Sequence, residues 1–176
     1  LENRFTGYRD VDLSPKGEEE ARQAGAKLRE TRIDVVLTST LTRAIRTAEL
    51  ALQNSSDHNA ALGAVRHEAL CERDYGDLTG LNKDETRAQY GDEQVQIWRR
   101  SYDVPPPGGE SLKDVVDRVR PCWEQEIKPL LDSGKTVLIA AHGNSLRALL
   151  ILMGVRTPEN INEAELATGE PKFHEL

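Results

Sequence analysis

The chain has 176 residues, 38% of them apolar and 30% charged, with 30 acids against 23 bases. That length suits a single domain, 1–176, with a sizeable core, and the composition excludes disordered and collagen-like classes. A formal charge of −7 argues against a general nucleic-acid or membrane-surface binder, and no apolar run reaches the roughly 18 residues of a bilayer span. Cys71 and Cys122 are too few for a disulfide framework or a tetrahedral zinc site, so a reduced, cytoplasmic setting is expected. The only methionine is Met153 and no leader precedes the first patterned stretch, so a segment upstream of Leu1 is expected.

The opening LENRFTGYRDVDLS has turn residues and no period, and is expected to be a loop. Ser14-Pro15 supplies an N-cap and a first-turn proline, and Glu18, Glu19 and Glu20 suit the positive helix end. A helix is predicted to run to about Thr31. Asp34–Thr38 is a short β-branched run, hence a buried strand, and a helix follows over 41–53. Residues 53–63 are polar and are expected to connect. AVRHEAL (64–70) is a strand candidate, and CERDYGDLTG (71–80) a loop. Residues 82–100 carry a helical pattern interrupted at Tyr90-Gly91.

Pro105-Pro106-Pro107-Gly108-Gly109 reads as a stiff loop, too short for a domain linker. Ser111 and Asp114 match a capping box, and Leu112, Val115, Val116, Val119, Trp123 and Ile127 lie close to one helical face, with Pro121 expected to kink or split the helix. TVLIAA (136–141) has the strongest strand pattern, with both faces expected to be covered. Gly143-Asn144-Ser145 turns into a helix over 146–153, and 171–176 is predicted as an edge strand. No repeat is present. Strands alternating with helices predict an α/β fold with a mostly parallel sheet flanked by helices in three layers.

In such sheets, ligands bind beyond the carboxyl ends of the strands. Two ends stand out: Thr38-Ser39-Thr40 leading to Arg43, and His142-Gly143-Asn144. Both open helices, whose free N–H groups suit phosphate or carboxylate. His142 is either a site residue or a hydrogen-bonded histidine that finishes the strand. His58, His67 and His174 lack such a context. Arg43, in a first helical turn, opposes the helix dipole unless an anion is shared with it, and is otherwise an exposed arginine. Arg99-Arg100 reads on pattern alone as a helix-end charge pair ahead of an anion site. Glu72, in ERDY, is a solvated loop acid or, beside a phosphate, a general acid–base. No GxGxxG, GxxxxGK[ST], GxSxG or HExxH occurs, which argues against nucleotide hydrolysis, zinc proteolysis and α/β-hydrolase chemistry.

RFTGYRDVDLSPKGEEEA, TSTLTRAIRTAE, ERDYGDLTGLNK, QVQIWRRSYDVPPPGGESLKD and LIAAHGNSLRALL resemble the 2,3-bisphosphoglycerate-dependent phosphoglycerate mutases of the histidine phosphatase superfamily. The resemblance spans nearly the whole chain in order, and GLNK with IWRRSYD favours the mutase branch over general phosphatases. It implies the phosphoglycerate mutase-like fold and interconversion of 3- and 2-phosphoglycerate through a phosphohistidine. 2,3-Bisphosphoglycerate would be the priming donor, no metal would be needed, and a homodimer or tetramer would form. Carried over by motif, Arg43 and His142 would clamp the transferring phosphoryl group, with the imidazolium aimed at its oxygens. Glu72 would serve the substrate hydroxyl as acid–base. Thr6, Gly7, Gly143 and Asn144 would contact phosphate or substrate. Arg73, Tyr75, Lys83, Arg99 and Arg100 would hold the other phosphate or the carboxylate.

The family's nucleophilic histidine sits in an Arg-His-Gly motif that ends a first, central strand upstream of RFTG. No Arg-His-Gly occurs in this sequence. The chain is therefore expected to be N-terminally truncated and without turnover as written. A general phosphomonoesterase and, if this is the whole chain, an inactive phospho-ligand-binding protein are the alternatives.

Overall fold

The computed structural model describes residues 3–176; of the predicted opening loop, Leu1 and Glu2 lie outside the described residues. Helix α1 (Pro15–Lys27) starts where Ser14 Oγ accepts the Gly17 N–H at 3.1 Å. It stops four residues short of the predicted end, because 28–31 form turns. Strand β1 (Val35–Thr38) leads through Ser39-Thr40-Leu41 into α2 (Thr42–Gln53). The polar connection holds a helical turn, α3 (Asp57–Ala60), capped by Ser56. Its Asn59 is buried and joins the Ile33 N–H to the Thr31 carbonyl. That tertiary role has no signal in a polar stretch of sequence.

Strand β2 is only Ala64–Arg66, since His67 turns into a short 3-10 helix, Glu68–Leu70. Helices α4 (Lys83–Tyr90) and α5 (Asp92–Arg100) meet at Gly91, as the sequence predicts. The capping box at Ser111 and Asp114 opens α6 (Leu112–Cys122). Past Pro121 the ladder slips: Trp123–Ile127 is π-helical, with Lys128 donating to the Trp123 carbonyl, before α7 (Lys128–Asp132). Pro121 and Pro129 bracket the slip, and each removes a backbone donor. Strand β3 (Val137–Ala140) then leads directly into α8 (Gly143–Leu152).

The sheet has the order β2-β1-β3, all parallel, with Thr38 paired to Ala140. Alternation along β1 divides the core. Val36 packs with Leu28, Ala48 and Leu52 of the α1–α2 layer. Leu37 packs with Val116, Val119 and Leu149 of the α6–α8 layer. This is the expected three-layer α/β arrangement. Two expectations change. Residues 171–176 form no strand: Pro171 lacks an N–H, Lys172, His174 and Glu175 carry polar side chains, and the preceding Glu170 is tied to Lys27 of α1 at 2.5 Å. β3 is half-buried rather than fully covered. Among the described residues it pairs only with β1, and its other edge opens on an apolar cleft of about 650 Å³ lined by Ala24, Leu28, Leu146 and Leu150, among others.

Helices α1 and α2 touch backbone to backbone at Gly25, where a Cβ would stand 2.2 Å from the Ala51 carbonyl oxygen. Alanine is the better helix former by about 1 kcal/mol, yet overpacking costs about 1–3 kcal/mol. Gly25→Ala is therefore expected to lower the thermal midpoint, by roughly 2–4 °C for each net kcal/mol lost. A higher midpoint in calorimetry would show that α1 can move away freely.

Candidate active site

The parallel register sets the two predicted strand ends side by side. Thr38 lies opposite Ala140, so Ser39 and His142 leave adjacent strands in the same direction. Ser39 Oγ stands 2.7 Å from His142 Nε2 and also accepts the Leu41 N–H at 3.2 Å. Both residues are buried, and His142 is only 7% exposed. The His142 pKa falls from its ordinary value to about 3, first through burial and then through the charges of Arg43 and Arg118. The imidazole is thus neutral near pH 7, where the sequence reading expected an imidazolium. A neutral ring in a cationic neighbourhood still offers one N–H donor.

Arg43 reaches the N-terminal loop, donating to the carbonyls of Arg9 at 2.8 Å and Gly7 at 2.9 Å. A guanidinium has five N–H donors, so three remain. Burial lowers the Arg43 pKa, while the negative charges of Glu72 and Asp10 oppose that shift. Gly7 itself has φ +51°, and a Cβ there would press to 3.3 Å on the Arg73 carbonyl. The loop is pinned by Phe5 N–H to Leu81 and Gly80 N–H to Phe5, at 3.0 and 2.7 Å.

Glu72 is held asymmetrically. Its Oε1 accepts the N–H groups of Arg73 at 2.7 Å and Asn144 at 3.2 Å. Asn144 Nδ2 in turn donates to Tyr75 Oη at 3.3 Å, and the Tyr75 ring stacks at a tilt on Phe5, centroids 5.1 Å apart. Burial first, then the Glu72 charge, raises the Tyr75 pKa, so the phenol keeps its proton.

These residues enclose a cavity of about 210 Å³ lined by Arg4, Phe5, Thr6, Gly7, Arg43, Glu72, Tyr75, Lys83 and Arg99. Seven of the sequence candidates thus share one wall. Gly143, Asn144 and His142 do not line the cavity: Asn144 bonds Glu72, Gly143 lies beside that carboxylate, and His142 is held against Ser39. Lys83 and Arg99 form no ion pair among the described residues. Burial, then the like charges of Arg99, Arg87 and Arg100, lowers the Lys83 pKa. Burial and then Arg100 lowers that of Arg99. Uncompensated like charges on a cavity wall suit an anionic ligand. Arg100 is exposed beside them.

Arg73 is placed otherwise. It is 1% exposed, and its guanidinium donates to the carbonyls of Glu110 and Trp98 beneath the cavity. It carries the loop and the Tyr75 ring, with its Cζ 5.2 Å from the ring centroid, rather than reaching the wall.

Sequence reasoning passed over Ser39, Arg4, Phe5 and Arg118. Arg118, on α6, gathers the carbonyls of Ala69, Cys71 and Glu72 and pairs with Glu110 Oε1 at 2.8 Å, so it sets the loop that presents Glu72. Nothing in α6 separates it from an ordinary surface arginine. Ser39 was legible, because it is the middle residue of the polar strand end Thr38-Ser39-Thr40 already singled out. Away from the cavity, His67, Cys122 and Glu126 lie within 4.8 Å of one another. There His67 Nε2 bonds Glu126 at 2.8 Å and Nδ1 accepts the Ala69 N–H, so both ring nitrogens are engaged.

The sequence profile described as Histidine phosphatase superfamily (branch 1) matches residues 1–170. The 2,3-bisphosphoglycerate-dependent phosphoglycerate mutase of Azorhizobium caulinodans is 52% identical over 178 aligned residues, covering all of this chain and 85% of that protein. The protein of the same name from Methylobacterium sp. is 54% identical over the same shares. Among solved structures, a mycobacterial glucosyl-3-phosphoglycerate phosphatase in complex with inorganic phosphate matches with TM-score 0.79 and 25% identity, over 94% of this chain and 80% of that one. Bacillus stearothermophilus YhfR matches with TM-score 0.75 and 26% identity, over 93% and 77%. No helix among the described residues is long and apolar enough to cross a membrane.

The His142 shift has a definite sign. A histidine depressed from 6.5 to about 3 on folding contributes stability that is fully present above pH 6.5 and is lost as pH falls towards 3, because only the unfolded chain takes the proton there. The His142 ring resonances in a ligand-free NMR titration are expected to stay flat from pH 8 to pH 5. A midpoint near 6.5 would refute the buried neutral imidazole.

Proposed function

The chain belongs to branch 1 of the histidine phosphatase superfamily, and on that premise we propose that it serves the interconversion of 3-phosphoglycerate and 2-phosphoglycerate in glycolysis and gluconeogenesis, in the cytoplasm. The observation that carries this reading is the excess of cations around Glu72 without matching carboxylates. Lys83 and Arg99 lack counter-ions among the described residues, and Arg43 is held by carbonyls that do not cancel its charge. Such a wall fits a polyanion, and identities of 52% and 54% to proteins named as mutases favour isomerisation over hydrolysis. The same donor set fits 2,3-bisphosphoglycerate, which when bound supplies the priming phosphoryl group.

Each residue then has a task. Arg43 directs its remaining N–H groups at the oxygens of the transferring phosphoryl group, with the His142 ring held behind by Ser39. Charge-assisted hydrogen bonds of this kind contribute about 1.5–3 kcal/mol each, and they count most where charge develops in the transition state. Lys83, Arg99 and Arg100 take the other anionic end, and Thr6 and Gly7 supply the loop between. Glu72 has one oxygen fixed by two backbone N–H groups, which leaves Oε2 to take and return the proton of the substrate hydroxyl. The histidine that accepts phosphoryl in the resemblance is not assigned to a residue of this chain. His58, His67, His142 and His174 all lack the Arg-His-Gly setting.

Recognition and transfer are tested separately. Calorimetric titration of the chain is expected to show tighter binding of 3-phosphoglycerate than of inorganic phosphate. In protein made from the complete reading frame, phosphorus NMR is expected to show 2-phosphoglycerate appearing ahead of inorganic phosphate. Release of inorganic phosphate alone would overturn the mutase reading in favour of a phosphomonoesterase; the mycobacterial neighbour is itself named as a glucosyl-3-phosphoglycerate phosphatase. In the same protein, Arg43→Ala is expected to lower the rate of phosphoryl uptake by at least about tenfold, or 1.4 kcal/mol. Glu72→Gln is expected to slow turnover while ligand affinity stays within about twofold, as the loss of a proton carrier requires. Wild-type turnover in either variant would remove that residue from the mechanism.

A further inference from the structure

Two groups of cations lie near Glu72 and Tyr75. Arg43 and Arg118 are the charges felt by His142. Arg100 acts on Lys83, Arg99 and Arg147, and Arg147 in turn feels the charge of Glu72. Arg147 has no part in the site described so far. It lies one turn inside α8, four residues past Gly143. Its Nη1 stands 3.0 Å from the point where a Cβ on Gly143 would be, and Glu72 Oε2 stands 4.0 Å from the same point. The guanidinium and the Glu72 carboxylate therefore flank one bare stretch of backbone, and the absence of a side chain on Gly143 keeps that gap open.

Arg147 also differs from Arg43, Arg73 and Arg118 in its partners. Arg43, Arg73 and Arg118 each hold backbone carbonyls. Arg147 Nε is buried and has no hydrogen-bond partner, and the side chain forms no ion pair among the described residues. An unsatisfied buried donor is costly, and more so on a charged group. A fold that keeps one beside an anion site has a use for it there. Nε and one Nη lie on a single edge of the guanidinium plane, an edge that matches a planar carboxylate through two parallel N–H···O bonds.

We propose that Arg147 is a specificity-determining binding residue that recognises the carboxylate of the phosphoglycerate, on the Arg100 side of Glu72. This rests on the phosphoglycerate reading above and goes further, by dividing the ligand: phosphoryl group towards Arg43, carboxylate towards Arg147. Arg147 does not line the 210 Å³ cavity itself. Its Nη1 and Glu72 Oε2, which belongs to the cavity wall, border the same gap at Gly143, and a ligand end that passes the carboxylate through that gap meets the guanidinium.

The test compares two phosphoesters by calorimetry on the chain: 3-phosphoglycerate, and sn-glycerol 3-phosphate, which has a hydroxymethyl group in place of the carboxylate. The wild type is expected to prefer 3-phosphoglycerate. Arg147→Gln should weaken 3-phosphoglycerate about tenfold, equal to 1.4 kcal/mol, and leave sn-glycerol 3-phosphate within about twofold, which also shows that the variant is folded. Arg147→Lys, which keeps the charge without the fork, should recover only part of the loss. Equal weakening of both ligands, weakening of neither, or full recovery with lysine would overturn the proposal while leaving the phosphoglycerate reading in place. A wild type that binds the two phosphoesters alike would instead sink the phosphoglycerate reading and the Arg147 assignment with it.

Discussion

The parallel pairing of β1 with β3 carries the chemistry of this fold. With Thr38 opposite Ala140, the two chains leave the sheet together, and each turns at once into a helix. Ser39 and His142 are thereby brought to 2.7 Å, and the first turns of α2 and α8 converge on one region. A shift of one residue in that register would turn every side chain of β3 to the opposite face. Leu138 and Ala140 would then leave the α2 layer and Ile139 would leave the α8 layer. The core on both sides of the sheet therefore holds the site in alignment, although the strand residues Leu138, Ile139 and Ala140 do not line the cavity.

Electrostatics adds a second constraint. Several guanidinium groups gather in a small volume of an acidic protein. The folded chain satisfies most of them with neutral acceptors: Gly7 and Arg9 for Arg43, Trp98 and Glu110 for Arg73, and Ala69, Cys71 and Glu72 for Arg118. A carbonyl dipole removes the penalty of an unmade hydrogen bond without removing the charge. Only Arg118 is also paired with a carboxylate, Glu110, and it works on the far side of the loop. The positive potential is thus kept for a ligand. The depressed pKa of His142 reports that potential directly, since Arg43 and Arg118 both add to the effect of burial.

Much of this was legible in the sequence because it is local. Apolar runs ending in polar, helix-starting residues located both strand ends. The Ser111–Asp114 capping box, the Gly91 break and the disturbance after Pro121 each depend on a few neighbouring residues. What was not legible depends on distant partners. Arg73 and Lys83 look alike in a string of charged residues, and only the third dimension sends one to buried carbonyls and the other to the cavity wall. Arg118 sits on a helix whose pattern gives no hint that the Glu72 loop folds over it. The covered or open edge of β3 is decided by which strands lie beside it, and an apolar run such as VLIA fits both cases.

The asymmetry of Glu72 links these levels. Its Oε1 is tied to the N–H of its own neighbour, Arg73, and to that of Asn144 on α8, so the carboxylate joins the Arg73 loop to the helix that follows His142. Arg73 is in turn anchored to Trp98 at the end of α5 and to Glu110 in the loop before α6. A displacement of α5 or α8 would therefore move the carboxylate relative to the Arg43 guanidinium across the cavity. Proton transfer needs heavy atoms within about 2.6–3.2 Å, so in the proposed mechanism the buried Arg73 guanidinium would act by fixing a distance. This explains why a residue that resembles a ligand contact by motif sits 1% exposed beneath the site.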